Sequence, residues 1–170
     1  MGMMENPSQA VVKPSEYLTF RLGNEEYGID ILKVQEIRGY DAVTRIADAP
    51  EFLKGIINLR GVIAPIIDLR VKYRLGEVKY DEFTVVVILH VAGRIAGIVV
   101  DSVSDVLELT KEQIRAAPDF DSLLDAEFIT GLGDAGDEER TRMLILLDIE
   151  KLMMSPQMGI VAEEEARGLV

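Results

Sequence analysis

An internal repeat limits how this chain can fold more than any other feature of its sequence. Three segments of the first half recur in the same order in the second half: 28–37 as 97–106, 51–56 as 127–132, and 67–69 as 147–149. The first match aligns Gly28, Val34, Glu36 and Ile37 with Gly97, Val103, Asp105 and Val106. Because three matches in register are hard to obtain by chance, the sequence predicts two related structural units.

Short runs of β-branched residues, broken by glycine, dominate the chain from Tyr17 onward. Such runs are typical of strands, and the clearest are Tyr17–Leu22, Ala42–Ile46, Val62–Leu69, Thr84–Val91, Ile95–Val100 and Met143–Ile149. Residues 24–26 and 92–94 are expected to form hairpin turns. A unit of about 70 residues with several short strands predicts a small, strongly bent sheet or barrel. Two such units would pack side by side and leave a groove between them.

Helical signals are short and local. Asp48 is predicted to cap a turn that begins near Pro50 and ends at Gly55, and residues 110–113 match a capping box. The spacing in residues 31–37 also suits a helix face, but a tight turn followed by a strand is favoured. We expect a loose tail over residues 1–16, one folded domain over 17–154, and a helix or tail over 155–170 that opens at Ser155-Pro156.

Composition limits the cellular compartment and the kinds of binding partner that are expected for this chain. The chain has no cysteine, which excludes a disulfide framework and a thiolate metal site. Residues 1–14 lack the basic segment and the apolar stretch of a signal peptide, and the apolar runs are far shorter than the roughly 20 residues that span a bilayer. With a net charge of −12 and scattered basic residues, the surface would repel phosphate backbones. We therefore expect a soluble cytoplasmic protein that neither binds nucleic acid nor inserts into a membrane.

The sequence offers little support for catalysis, a metal or a cofactor. Residues 131–136 spell a GxGxxG, but acidic residues 137–139 follow where a dinucleotide site needs a helix N-terminus, so a loop is favoured. Asp68 and Asp148 are equivalent in the repeat, which could suit an acid–base pair. Carboxylates that accept hydrogen bonds from turn amides are the favoured interpretation. His90 is the only histidine and has no second imidazole for a metal. We expect a protein that is not an enzyme.

Positions at which the two units differ are candidates for function. Arg60, in the loop Asn58-Leu59-Arg60-Gly61, aligns with Gly136 in the second unit. Arg60 and Glu36 either recognise polar groups of a partner or form a surface ion pair worth at most about 1 kcal/mol. Phe120 lies in an acidic, proline-containing loop and is either a plug over a barrel end or an exposed anchor, burial being the commoner fate.

Three long segments carry a resemblance to a known family. Residues 27–40 (YGIDILKVQEIRGY), 54–70 (KGIINLRGVIAPIIDLR) and 97–103 (GIVVDSV) resemble the CheW coupling-protein family of bacterial chemotaxis. The match runs from about Tyr17 to Met154. It implies two pseudo-symmetric, five-stranded SH3-like barrels packed side by side. It also implies a non-catalytic adaptor that couples transmembrane chemoreceptors to the histidine kinase CheA.

The resemblance also implies where each partner binds. The tip of the receptor's helical hairpin would dock in the groove between the barrels, at Val34, Glu36, Gly55 and Arg60. The regulatory domain of CheA would pair barrel to barrel near Thr44 and Ile46, with Asp119 and Phe120 at a second contact that closes rings. The loop around residues 134–142 is longer than usual in the family. A regulatory-domain fragment of a chemotaxis kinase or phosphotransfer protein is the alternative, but the chain has no ATP-binding region or receiver domain.

Overall fold

The computed structural model describes residues 15–116 and 126–158, which form short strands joined by tight turns. The strands are β1 (Ser15–Leu22), β2 (Glu25–Asp30), β3 (Val34–Gly39), β4 (Leu53–Leu59), β5 (Val62–Asp68), β6 (Val85–Val91), β7 (Arg94–Val100), β8 (Ser102–Leu109), β9 (Ile114–Arg115), β10 (Ile129–Asp134) and β11 (Met143–Leu147). The α-helices are α1 (Leu69–Tyr73) and α2 (Ile149–Met153), and single 3₁₀ turns cover Ile31–Lys33, Tyr40–Ala42, Lys111–Gln113, Ala126–Phe128 and Pro156–Met158.

The strands form two sheets, and each sheet takes strands from both units of the repeat. One has the order β3-β6-β7-β5-β4 and is called here the first barrel; the other has the order β8-β1-β2-β11-β10-β9 and is the second barrel. Hairpin β1–β2 of the first unit therefore completes the second barrel, and hairpin β6–β7 of the second unit completes the first. The exchange places parallel pairs in both sheets, β2 beside β11 and β7 beside β5.

The internal repeat is confirmed down to its irregularities. The register shifts between Leu53 and Gly55 in β4 and between Ile129 and Gly131 in β10, so both copies bulge at the same place. Just before these bulges, the carbonyl oxygens of Phe52 and Phe128 accept 2.8 Å hydrogen bonds from the amides of Asp68 and Asp148. Equivalent bulges also interrupt β3 and β8. Bulges bend a strand and increase its twist, which curls each sheet towards a barrel.

Each sheet closes through the segment that follows its edge strand. After β3 the chain turns at Tyr40–Ala42, and Thr44 then bridges Ile56 of β4 with hydrogen bonds of 2.8 and 2.9 Å. In the second barrel the closing segment is β9, which pairs with β10. The predicted class, a mainly β chain of two related SH3-like barrels, is confirmed; β9 brings the second sheet to six strands.

Three apolar clusters hold the structure together. The largest lies between the two sheets, and both exchanged hairpins contribute to it, with Phe20 and Ile29 from one and Leu89 and Ile98 from the other. Smaller clusters fill the first barrel, around Ile66 and Ile88, and the second, around Leu144 and Leu146. The alternation of strand side chains explains this division, because neighbouring residues on one strand face different clusters.

Several local predictions were wrong. Residues 42–46 do not form a strand: Ala42 completes the 3₁₀ turn that begins at Tyr40, and Thr44 makes an isolated bridge. The turn predicted to begin near Pro50 is present, with a 3.0 Å hydrogen bond from the Leu53 amide to the Pro50 carbonyl oxygen, but β4 begins at Leu53 and the turn does not reach Gly55. The first hairpin turns at Gly23-Asn24 rather than at residues 24–26. The tight turn before β3 and the turn after Thr110 are confirmed; in the latter, Gln113 Oε1 accepts from the Thr110 amide at 2.8 Å.

Candidate functional site

Arg60 lies at the tip of the β4–β5 hairpin and is exposed. Arg60 and Gly61 both have positive φ values, 52° and 92°, as a two-residue type I′ turn requires. The Asn58 side chain accepts a 2.8 Å hydrogen bond from the Gly61 amide and fixes the turn. A non-glycine residue with positive φ is strained. The arginine is therefore held at a position where glycine would fit the backbone better.

Glu36 lies on edge strand β3 and has an unsatisfied oxygen. Its Oε1 atom is buried and has no hydrogen-bond partner among the described residues. The cation beside it is Arg38, whose Nη1 lies 3.7 Å away, an ion-pair distance that is too long for a hydrogen bond. The predicted alternative, an ion pair between Glu36 and Arg60, is therefore wrong. A buried carboxylate oxygen without a donor costs free energy, and a donor from a partner would recover it.

Asp105 is the counterpart of Glu36 on β8, and its environment is the opposite. Arg142 binds Asp105 at 2.8 Å and Glu26 at 2.6 Å, and Thr19 also hydrogen-bonds to Asp105. Hydrogen bonds from Arg142 lower the pKa of both carboxyl groups. Hydrogen bonds to the same two acids raise the pKa of Arg142. The carboxylate of the second unit therefore has hydrogen-bond donors within the protein, whereas the equivalent carboxylate of the first unit has an oxygen without a donor.

Two exposed apolar residues line the edge of the core between the barrels, and sequence reasoning did not assign them a role. Ile37 on β3 pairs with Val87, and Val106 on β8 pairs with Leu18. Val87 and Leu18 belong to the central cluster, yet Ile37 and Val106 are 43% and 49% exposed. They align in the repeat, which was the available signal. Val34, also predicted as a site residue, is half-buried and packs against the same cluster.

The first barrel presents a second exposed apolar surface, called here the Thr44 face and made of Thr44, Ile56, Ile63 and Pro65. Ile56 pairs with both Thr44 and Pro65, so the three side chains share one side of the sheet. Ile63 follows two residues before Pro65 and is 50% exposed. Ile46, the other predicted kinase contact, is 43% exposed just beyond Thr44.

The remaining predicted site residues have different outcomes. Gly55 is buried, and a Cβ atom placed there would lie 2.0 Å from the Thr44 carbonyl oxygen. Packing at the closure of the barrel therefore explains this glycine. Asp119 and Phe120 lie outside the described residues, so their assignment stays a prediction.

The residues examined for catalysis have structural roles. Residues 131–134 of the glycine run belong to β10, which leads into β11 rather than into a helix, so the loop interpretation was wrong for that stretch. Asp68 caps α1, and Asp148 caps α2 through the Lys151 amide at 2.9 Å. Within residues 15–116 and 126–158, no group of carboxylates and histidine is placed to hold a metal ion. The helices of the described chain are too short and too polar to cross a membrane.

The fold and the site define a class of protein. The protein consists of two small barrels whose surface carries an unsatisfied carboxylate and exposed apolar residues. Such a surface is typical of a scaffold or adaptor that binds other proteins.

Comparison with known proteins identifies the family. The sequence model of the CheW-like domain family matches residues 16–157. The chain is 64% identical over 146 residues to the chemotaxis protein CheW of Klebsiella aerogenes, covering 86% of both chains, and 35% identical over 137 residues to a probable CheW of Rhizobium etli, covering 81% of this chain and 86% of that one. The crystal structure of the scaffolding protein TtCheW from Thermoanaerobacter tengcongensis superimposes with a TM-score of 0.73 at 31% identity, covering 84% and 94% of the two chains.

The chain belongs to the CheW family and is a coupling adaptor in chemotaxis. The alternative, a fragment of a kinase or phosphotransfer protein, gains no support from these comparisons.

Proposed function

We propose that this adaptor joins the cytoplasmic tips of chemoreceptors to the regulatory domain of CheA through separate surfaces. It works in the cytoplasm and catalyses no reaction of its own. The family and the scaffolding role named for its structural relative support this proposal.

The unsatisfied Oε1 atom of Glu36 carries the receptor part of the proposal. A partner that donates a hydrogen bond there removes an existing cost instead of breaking an internal contact. Ile37, the next residue on edge strand β3, faces the other side of the strand and is 43% exposed. An amphipathic helix that packs along the edge of β3 suits such a site, because its apolar face can contact Ile37 while its polar flank reaches the carboxylate. Arg60 adds an exposed positive charge at the tip of the β4–β5 hairpin.

The Thr44 face supports the kinase part of the proposal. It is mainly apolar, and hydrogen bonds between β4 and β5 and at the Thr44 bridge hold the backbone beneath it, so it is rigid. A rigid apolar face suits a partner that is itself a folded barrel better than it suits a flexible peptide. Ile46 extends the face, and Asp119 and Phe120 are proposed as the second kinase contact.

Titrating the whole chain with a receptor tip fragment and with the CheA regulatory domain, separately and together, tests the proposal. We expect both partners to bind at once. Arg60→Ala should weaken only receptor binding, and Ile63→Asp should weaken only kinase binding. Lys79→Ala is the matched control, because it removes an exposed cation whose ion-pair partner, Glu77, belongs to neither surface. Competition between the partners, or one variant weakening both, would contradict two separate surfaces.

A further inference from the structure

The chain crosses between the two barrels at equivalent places in the repeat, and the crossings are built differently. One runs from β2 to β3 through the turn Ile31–Lys33, and the other runs from β7 to β8 through Asp101. Asp101 aligns with Leu32, which is 84% exposed. These crossings, together with the core between the sheets, determine how the barrels are oriented.

Arg70 holds the β7–β8 crossing from inside the protein. Its side chain is fully buried and binds both oxygens of Asp68, at 3.0 and 2.8 Å, and the carbonyl oxygen of Lys79 at 3.0 Å. The same guanidinium hydrogen-bonds to Asp101. It thereby connects the end of β5, the linker between the units and the crossing itself.

The cluster also reaches the exchanged hairpin of the other barrel. The second oxygen of Asp101 accepts a 2.6 Å hydrogen bond from the amide of Gly23, in the β1–β2 turn. The Asp101 amide donates to the Arg21 carbonyl oxygen at 3.0 Å. Tyr80 adds a 2.7 Å hydrogen bond to Asp68. Segments of both barrels therefore meet at a single buried cation.

The equivalent crossing at Lys33 has a much weaker connection. Glu150, which aligns with Arg70, accepts a 3.1 Å hydrogen bond from Lys33 and a 3.0 Å bond from the Ala92 amide. Ala92 aligns with Gly23, so the pattern is retained, but the Lys33 and Glu150 side chains are 36% and 41% exposed. Exposed ion pairs are screened and contribute little, whereas a charge left without its partner in the interior is strongly unfavourable.

We infer that Arg70 is a positioning residue that fixes the angle between the two barrels through Asp101. The Lys33–Glu150 crossing is flexible and does not fix this angle. The consequence for binding rests on the function proposed above. Strand β3, which carries Glu36, leaves the Lys33–Glu150 crossing directly, so its orientation relative to the second barrel is kept through the Arg70 side.

Distances between spin labels on the two barrels test this inference. The chain has no cysteine, so Ile63→Cys on β5 and Glu108→Cys on β8 introduce the only labelling sites. The unsubstituted interior should give one narrow distance distribution in double electron–electron resonance. Arg70→Met should broaden it strongly, and Asp101→Asn, which keeps the side-chain shape and removes the charge, should broaden it less. Glu150→Gln should leave it unchanged.

Each outcome is decisive. If Arg70→Met does not fold, Asp101→Asn, whose side chain is partly exposed, still decides the result. Distributions that stay narrow despite a lower melting temperature would reduce Arg70 to a stabilising residue and overturn the inference, as would equal broadening by Glu150→Gln. Receptor-tip binding is measured on the same samples: unchanged affinity in a broadened variant would refute the positioning role. The Arg60→Ala titration tests the proposed function independently of that result.

Discussion

Glu36 and Asp105 occupy the same position in two copies of one bulged strand, but only Asp105 is hydrogen-bonded to an arginine. The position of Arg142 corresponds to Val62 in the first unit, so no cation reaches Glu36 from that side. In this duplicated scaffold one carboxylate is therefore bound within the protein, and its equivalent in the other unit is available to a partner.

We expect Glu36→Gln to weaken receptor binding while leaving the fold intact. The amide keeps the shape of the side chain but removes the charge, and a hydrogen bond to a charged group contributes about 1.5–3 kcal/mol. Melting temperature should stay level or rise, because a buried charged oxygen is lost. Titration with a receptor tip fragment measures the first effect and calorimetry the second.

Asp105→Asn is the matched control for that experiment, since it makes the same change at the equivalent position. It should lower the melting temperature and leave receptor affinity unaltered, because Asp105 is already bound by Arg142 and Thr19. If both variants weakened receptor binding equally, the difference between the two units would have no functional meaning.

The repeat made the two related units predictable, but neither their bulges nor the exchange of hairpins. Gly28 and Gly97 lie in parallel pairs with strands of the opposite unit. Periodicity is the same whether a hairpin completes its own barrel or the other one, because both arrangements bury the same face. Only the three-dimensional packing of Phe20 and Leu89 on one shared core distinguishes them.

The candidate site was predictable only in part, for a related reason. Glu36 and Arg60 could be singled out in the sequence because they differ from their counterparts in the second unit. The unsatisfied oxygen of Glu36 could not be predicted, because it results from the absence of a nearby hydrogen-bond donor. Its explanation needs Arg142, which follows the loop where the offset of the repeat changes. Gly55 was interpreted as the end of a turn that begins near Pro50, but its φ of 150° serves the close approach of Thr44.

We expect the contribution of Arg142 to stability to depend on pH. The pKa values of Glu26 and Asp105 are lowered in the folded state, chiefly by hydrogen bonds from Arg142. Groups with a lowered folded pKa stabilise the protein above their unfolded values of about 4, and that stabilisation is lost as the pH falls through the folded values. Arg142→Met should therefore cost on the order of 1 kcal/mol at neutral pH, since the cluster is partly exposed.

Urea unfolding of the parent and of Arg142→Met between neutral pH and about pH 3 checks this prediction. The free energies of unfolding should converge as the pH falls, because protonated carboxyl groups no longer need the arginine. Lys111→Met, which removes an exposed cation that has no ion-pair partner among the described residues, is the control. A gap between parent and Arg142→Met that widened at acid pH would show that the pair does not act through these carboxylates.

Gly55→Ala should destabilise the first barrel at its closure. The added Cβ would lie 2.0 Å from the Thr44 carbonyl oxygen, and the φ of 150° is itself unfavourable for any other residue, at about 1–3 kcal/mol. Hydrogen exchange should report faster exchange of the Thr44 and Ile56 amides, which bridge the barrel. Gly61→Ala is the control, because it has a positive φ but no atom within 4 Å of the new Cβ. Equal exchange at the bridge in both variants would show that the close approach to Thr44 has no energetic weight.

Arg60→Gly separates the fold from binding most cleanly. Glycine adopts the φ of 52° without the strain of about 1–2 kcal/mol that another residue has there. Its greater freedom in the unfolded chain offsets about 0.4–1 kcal/mol of that gain, so the free energy of unfolding should stay level or rise. Receptor binding should weaken, because the exposed guanidinium has no ion-pair partner within the described residues and is therefore available to bind the receptor. Arg60→Lys, which keeps the charge but not the planar donor geometry, should give intermediate affinity. Calorimetry and tip titration measure the two effects. An Arg60→Gly protein that bound the receptor tip as well as the parent would mean that this strained arginine is retained for another partner.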